Sequence, residues 1–229
     1  MTALPTTPRQ LDTSPPNTAA AAQELEKMSP IFPIGPNSPI SVPQRALIAT
    51  FLEAIGQDLH LCSIIPDGHC TCRWFGADVP AATDWAVAAS LAGRNVYWTT
   101  NRVVEGCNKK PGKVDIVAAR FTHVDIDPPK GGGPLDKLQT QAELVALPVP
   151  PTLIIDSGGG LQAFWRLSGP ASLADVESVN RSIAQRFRGG DACHSIDHLM
   201  RLPGTVNYPN ATKRAAGRTT SNAKVIYDS

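Results

Sequence analysis

Asp125 and Asp127 stand two residues apart in the run Phe121-Thr122-His123-Val124-Asp125-Ile126-Asp127-Pro128-Pro129. In a β-strand, residues i and i+2 leave the same face, so both carboxylates would project together where Pro128 ends the strand, while Val124 and Ile126 enter a core. Adjacent carboxylates repel, and a divalent cation is the simplest agent that keeps both ionised. Mg²⁺ typically takes one or two carboxylates together with substrate phosphates. An isolated Asp-x-Asp more often marks a solvated acidic turn, so the weight falls on two runs further along the chain.

The first of these, Asp156-Ser157-Gly158-Gly159-Gly160-Leu161-Gln162-Ala163-Phe164-Trp165-Arg166, places glycines in a hairpin turn. Successive uncovered backbone N–H groups form a concavity that suits phosphate oxygens. Ser157 would add a hydroxyl, Gln162 an amide donor and Arg166 a charge. On the expected strand Gln162 and Phe164 share one face and Trp165 takes the other. The other run is Gly190-Asp191-Ala192-Cys193-His194-Ser195-Ile196-Asp197-His198-Leu199-Met200-Arg201-Leu202-Pro203-Gly204-Thr205. It offers a further carboxylate, Asp191 with Asp197 in reserve, and then Arg201 before a Pro-Gly turn.

The elements that must hold these groups are read from periodicity. Leu47, Ile48, Phe51, Leu52 and Ile55 recur at helical spacing over Gln44–Ile55. A hairpin is expected over 59–75 around Pro66-Asp67-Gly68, then a helix over about 80–92 stopped by Gly93. Asn95–Asn101 is aromatic and β-branched and reads as a strand. A basic loop over 104–114 precedes the acidic strand. Helices are expected over Leu135–Leu147 and Ser172–Phe187, strands over Thr152–Asp156, Leu161–Leu167 and Val225–Tyr227. From Asn95 onward this order predicts an α+β chain with an RRM-like or ferredoxin-like split βαβ core over 95–229, preceded by an αβ addition over 44–94. Residues 1–43, rich in Pro, Ser, Thr and Ala, read as a disordered tail with a short helix at Ala19–Met28.

The chain has 229 residues and a formal charge of +1, so any basic surface must be local. It contains no apolar run of eighteen residues and no basic-then-apolar N-terminal pattern, which predicts a cytoplasmic protein with no membrane partner. Five cysteines without a secretory signal argue against a disulfide framework. The cluster His60, Cys62, His69, Cys70, Cys72 lies across the expected hairpin and lacks a paired C-x-x-C knuckle, so free thiols are expected there rather than zinc.

Taken together, the acidic pair, the Ser-Gly-Gly-Gly turn and an Asp some ten residues before Arg201-Leu202-Pro203-Gly204-Thr205 resemble the catalytic core of the archaeo-eukaryotic primase (primase-polymerase) superfamily, in its RepB-type plasmid and phage branch. The resemblance covers roughly residues 45–215. It implies a DNA primase, a template-directed nucleotidyltransferase making primers on single-stranded DNA from nucleoside triphosphates, in plasmid or phage replication alongside a helicase. Asp125, Asp127 and Asp191 would hold two Mg²⁺ or Mn²⁺ ions about 3.5–4 Å apart. Ser157, Gly158, Gly159, Gly160, Gln162, Arg166 and Arg201 would contact the nucleotide. Lys109, Lys110, Lys113 and Lys130, with Tyr97 and Trp98, would guide the template by charge and stacking. Much of the superfamily has His where this chain has Gln162, which donates a hydrogen bond but carries no charge. Two other readings stand beside this one. One is a metal-dependent nuclease or phosphoesterase using His123, Asp125 and Asp127. The other is a catalytically silent replication-initiation module that binds single-stranded DNA.

Overall fold

The computed structural model describes residues 42–66, 68–129, 133–187, 189–190 and 193–228. The expected tail, apart from Val42 and Pro43, lies outside the described residues, as do Lys130 and Asp191. The chain opens with α1 (Arg45–Ile55), the hairpin β1 (Leu59–Ile64) and β2 (Cys70–Gly76), and α2 (Val79–Leu91). Pro80 sits in the first turn of α2, and the Asp78 carboxylate accepts from the Ala81 N–H at 3.0 Å, so the helix start is both preorganised and capped. Next come β3 (Asn95–Thr99), the short pair β4 (Arg102–Val103) and β5 (Ile116–Ala118), and the acidic strand β6 (Phe121–Ile126). The second half carries α3 (Lys137–Val145), β7 (Leu153–Asp156), β8 (Leu161–Arg166), α4 (Leu173–Ala184), β9 (Leu199–Arg201), β10 (Val206–Asn207), α5 (Ala211–Ala215), β11 (Ser221–Asn222) and β12 (Lys224–Asp228).

These strands make two four-stranded antiparallel sheets, ordered β2-β1-β3-β9 and β12-β7-β8-β6. The fold is α+β, as periodicity predicts. The strand beginning at Asn95, however, does not open the core that contains Asp125. Its Trp98 lies opposite Leu61 and Met200, so β3 belongs to the first sheet, between β1 and β9. The alternation of Val96 and Trp98 toward a buried face decides this, because both enter the apolar layer shared by the two sheets.

That layer is the main core. Leu61, Val96, Trp98 and Met200 from the first sheet meet Phe121, Ile155 and Phe164 from the second, with Phe51 and Leu52 of α1 alongside. Trp98 is its centre, edge-on to Phe51 at 5.2 Å and to Phe121 at 5.6 Å, and tilted against Phe164 at 5.2 Å. The outer face of the second sheet carries Val124, Ile126, Leu161, Ala163 and Ile154, which pack with Leu144 of α3 and Ile183 and Ala184 of α4. Complete burial of Trp98 removes it from any template-stacking role.

The expectation of free thiols across the first hairpin also meets a correction. Cys62 and Cys72 are directly paired in the β1–β2 ladder and form a disulfide, with the Cys70 sulfur 3.5 Å from that of Cys72. Directly opposed positions on adjacent strands bring side chains into bonding reach that sequence spacing does not reveal.

On the same strand, His60 is buried and held in its neutral form. Its Nε2–H donates to the Lys109 carbonyl at 3.2 Å, and Nδ1 accepts from the Thr99 hydroxyl at 2.7 Å. Burial pushes its pKa down to about 4, against smaller opposing effects from backbone carbonyls. The unfolded chain, titrating near 6.5, therefore binds an extra proton between these values. Stability is fully present above pH 6.5 and falls as the pH drops toward 4, by up to about 3 kcal/mol from this group. Melting curves between pH 7 and pH 4 should show this loss, and His60→Gln should flatten it; an equally steep decline in the variant would assign it to other groups.

Candidate active site

Asp125 lies at the end of β6 on the face that carries Phe121 and His123, opposite Gln162 of β8, which in turn pairs with Ile155 of β7. This face looks toward the first sheet. Val124 and Ile126 point the other way, into the helix-covered core, so the alternation read from the sequence holds.

β6 is an edge strand, and outward N–H groups along it are met from outside the sheet. The Asn101 amide oxygen accepts from Phe121 N at 3.3 Å, the Asn180 oxygen from His123 N at 2.8 Å and the Gly189 carbonyl from Asp127 N at 3.0 Å. Gly190 forms a bridge with Ile126, so the chain at Gly189 and Gly190 runs beside the acidic strand. A donor left unmet in a buried edge costs about 1–3 kcal/mol, which accounts for two wholly buried asparagines here.

His123 is equally committed. Its Nε2–H donates to the Cys193 carbonyl at 3.1 Å, which leaves Nδ1 as an acceptor facing the Asn180 amide nitrogen at 3.4 Å. Burial, and next the neighbouring His198, push its pKa down to about 3. With both ring nitrogens engaged, His123 has no lone pair directed at a metal ion and acts as a positioning residue, which takes it out of the ligand set expected for the nuclease reading.

What gathers around Asp125 was not singled out by sequence reasoning. A carboxylate oxygen of Asp125, the Cys193 sulfur and a ring nitrogen of His198 all lie within 4.8 Å of one another. The His198 ring also stacks on His123 at 6.2 Å between centroids. The signal was present in the Cys193-to-His198 run, but nothing in that run says it crosses the end of β6. Asp197, held in reserve as a third carboxylate, accepts a hydrogen bond from the Ser195 hydroxyl two residues before it. The preferred third carboxylate, Asp191, lies outside the described residues.

Asp127 stands half-exposed, with Arg218 Nη1 3.9 Å from its carboxylate. The glycine turn packs directly on it: a Cβ at Gly160 would fall 2.2 Å from the Ile126 carbonyl oxygen and 3.1 Å from Asp127 Oδ1. Gly158 has φ +86°, and a side chain there would strike Ser221. Close approach is therefore the physical reason for this glycine run. The turn is not the open phosphate concavity expected from the sequence. The Gly158 N–H is taken by the Asp156 carboxylate at 2.8 Å, and the Gly160 N–H by the Ser157 hydroxyl at 3.0 Å, which itself donates to the Gly160 carbonyl. Asp156 is further tied to Lys137 at 2.5 Å.

Arg201 and Gln162 are linked. β9 is the outer strand of its sheet, so the Arg201 N–H points away from β3, and the Gln162 side-chain oxygen accepts it at 2.9 Å. The Arg201 guanidinium is buried without an acidic partner among the described residues. It donates to Asn95 Oδ1 at 2.7 Å, Tyr97 Oη at 2.9 Å and Asn207 Oδ1 at 3.1 Å, and lies 4.2 Å over the Tyr97 ring. Three of its five N–H groups are spent on neutral acceptors, and the other two have no acceptor among the described residues. Asn207 also donates to the Ser157 carbonyl at 2.7 Å, joining Arg201 to the glycine turn. Asn95, Tyr97 and Asn207 have no motif of their own; only folding shows them as holders of this cation.

Other expected contacts fall elsewhere. Arg166 is at the far end of β8, paired in register with Phe121, four residues or about 13 Å from Gln162. Its guanidinium lies over Phe121 and donates to the Ala54 carbonyl at the C-terminus of α1, where a cation is favoured. Lys109 pairs with Asp115 at 2.9 Å and Lys113 with Glu177 at 2.7 Å, both lysines being exposed, and Lys110 makes no ion pair among the described residues.

The fold and this site define a class, a two-sheet α+β domain with an acidic strand end on one sheet and, on the other, an arginine with no acidic partner among the described residues. Solved structures then narrow it. The AEP domain of the cyanophage S-2L primase-polymerase matches with a TM-score of 0.60 at 14% identity, over 82% of this chain and 92% of that one. The structure of primase RepB′ matches with a TM-score of 0.56 at 18% identity, over 80% of this chain and 56% of that one. The catalytic domain of primase RepB′ in complex with initiator DNA matches with a TM-score of 0.54 at 17% identity, over 80% and 84%. No protein-family model matches the sequence. No curated protein matches it either. The chain thus has the primase-polymerase fold that its motifs resemble.

Gln162→Ala should lower the unfolding free energy by about 1–3 kcal/mol, because it strips the Arg201 N–H of its acceptor. Gln162→Met, which fills the same space without an acceptor, should lose a similar amount. Urea titrations of the two variants test this, and equal stability of Gln162→Ala and the parent would show that the bond contributes nothing.

Proposed function

We propose that this chain is a primase-type nucleotidyltransferase that joins nucleotides on a single-stranded DNA template. The observation that carries the reading is Arg201: a buried guanidinium with no counter-charge among the described residues and two spare donors, one hydrogen bond from Gln162, which is paired with Asp125. Buried charges are ordinarily paired. A phosphate group arriving with the substrate would complete this one, and Arg geometry suits phosphate oxygens.

The donors around Asp125 also fit a divalent cation, since oxygen, nitrogen and sulfur atoms converge there from three places in the chain. Asp125 and Asp127 would hold the ions, with Asp191 the proposed third carboxylate; its neighbour Gly190 bridges to β6 and Cys193 approaches Asp125. A bound cation of this kind supplies charge neutralisation on the triphosphate and lowers the pKa of an attacking 3′-hydroxyl. The protein groups would do the positioning. Arg201 would donate to a phosphate oxygen while Asn95, Tyr97 and Asn207 fix its direction, so little reorganisation is needed as charge develops. Gln162 would present its amide N–H₂ to the same oxygens, its carbonyl being occupied by Arg201. The glycine turn contributes by letting the β7–β8 hairpin approach Asp127, more than through its own N–H groups.

The structural relatives support the partner side of this reading, one of them being a primase domain bound to initiator DNA. Among the described residues, no helix is long and apolar enough to cross a membrane.

A gel assay with circular single-stranded DNA, labelled nucleoside triphosphates and Mn²⁺ should show short labelled products. The pair Asp125→Asn with Asp127→Asn should abolish them in a folded protein. Arg201→Lys should reduce incorporation about 10- to 100-fold, because a point charge cannot reproduce the fork of donors. Labelled products from the double variant would overturn the catalytic assignment. Cleavage of the template without triphosphate would replace it with the nuclease reading.

A further inference from the structure

We infer that Asp125, Cys193 and His198 form a site that prefers a borderline transition-metal ion of the zinc and cobalt class over Mg²⁺. The inference rests on the proposal that Asp125 belongs to a cation-dependent centre, and it names the chemistry of that cation. Mg²⁺ takes hard oxygen ligands in near-ideal octahedral geometry. An imidazole nitrogen and a thiolate beside a single carboxylate are instead the donors that zinc-class ions select. Ligand atoms on one tetrahedral zinc sit about 3.3–3.6 Å apart, given its bond lengths of roughly 2.0–2.3 Å. The three atoms already lie within 4.8 Å of one another, so the closure required is of the order of an ångström.

The surroundings support a built arrangement. The His198 ring is stacked on His123, whose own position is fixed by Asn180 and the Cys193 carbonyl. One buried histidine therefore braces two of the three candidate ligands, one through its ring face and one through a backbone bond. His198 directly precedes β9, whose pairing with β3 fixes where the ring begins. All three residues are partly exposed, which leaves a path for an ion from solvent. Three protein ligands leave a fourth position for water or a substrate oxygen, the pattern of catalytic zinc sites. Binding would release the Cys193 thiol proton, because thiolate is the ligand form.

Titrating the full chain with Co²⁺ alone, without nucleotide or DNA, reads this directly. A near-ultraviolet thiolate-to-cobalt charge-transfer band should grow in, saturate at one ion per chain, and be displaced by Zn²⁺ but not by an excess of Mg²⁺. Cys193→Ser should lose the band, and His198→Gln should weaken Co²⁺ binding about tenfold or more. A band of equal strength in Cys193→Ser would attribute it to other thiols and overturn the inference, as would its displacement by Mg²⁺. If Cys193→Ser folds poorly, Cys193→Ala serves the same test. Failure of this site and failure of the functional reading are distinguishable: no cobalt band with normal primer synthesis rejects only the site, while a band without any primer synthesis rejects only the function.

Discussion

The hydrogen bond from the Arg201 N–H to the Gln162 side-chain oxygen joins the outer strand of one sheet to the face of the other. An outer strand normally leaves its outward N–H groups to solvent or to another chain. Here the donor is buried and must be met inside the molecule. Gln162 meets it, and in doing so brings the arginine of one sheet to the acidic end of the other. The rest of the site depends on that alignment. Trp98 and its ring partners hold the sheets together behind it, Asn207 ties the guanidinium to the glycine turn, and the turn closes on Asp127.

This changes the meaning of Gln162. Set against a histidine at the same place in much of the superfamily that the motifs resemble, a glutamine looks like a weakened phosphate contact. In the structure its oxygen has a demanding task that a protonated imidazole, with donors only, cannot perform. The amide nitrogen remains as a donor. A neutral side chain here is suited to holding Arg201 and keeping a neutral donor beside it.

The paired asparagines and the histidine beneath the site obey the same constraint. Asn101 and Asn180 close the edge of β6, and His123 is kept neutral by burial between Asn180 and the Cys193 carbonyl. These groups touch no reacting atom in the proposed chemistry. They set the direction of the acidic strand and of the segment that carries Cys193 and His198.

Several features were legible from residues alone. Period-two alternation assigned Val124 and Ile126 to a core and Asp125 to the opposite face, and local periodicity located the helices and strands, because these depend on near neighbours. The Asp-x-Asp pair, the Ser-Gly-Gly-Gly turn and an Asp before the Arg-Leu-Pro-Gly-Thr run together carried the likeness to a fold that the solved structures match. Long-range pairing was not legible. The partnership of Asn95, Tyr97 and Asn207 with Arg201 spans 106, 104 and 6 residues. The removal of Arg166 to α1, the cross-strand disulfide and the meeting of Cys193 and His198 with Asp125 were equally hidden. Each is decided by strand register and by which sheet a strand joins, and those depend on burying Trp98 between two sheets, a global packing condition that no local run of residues contains.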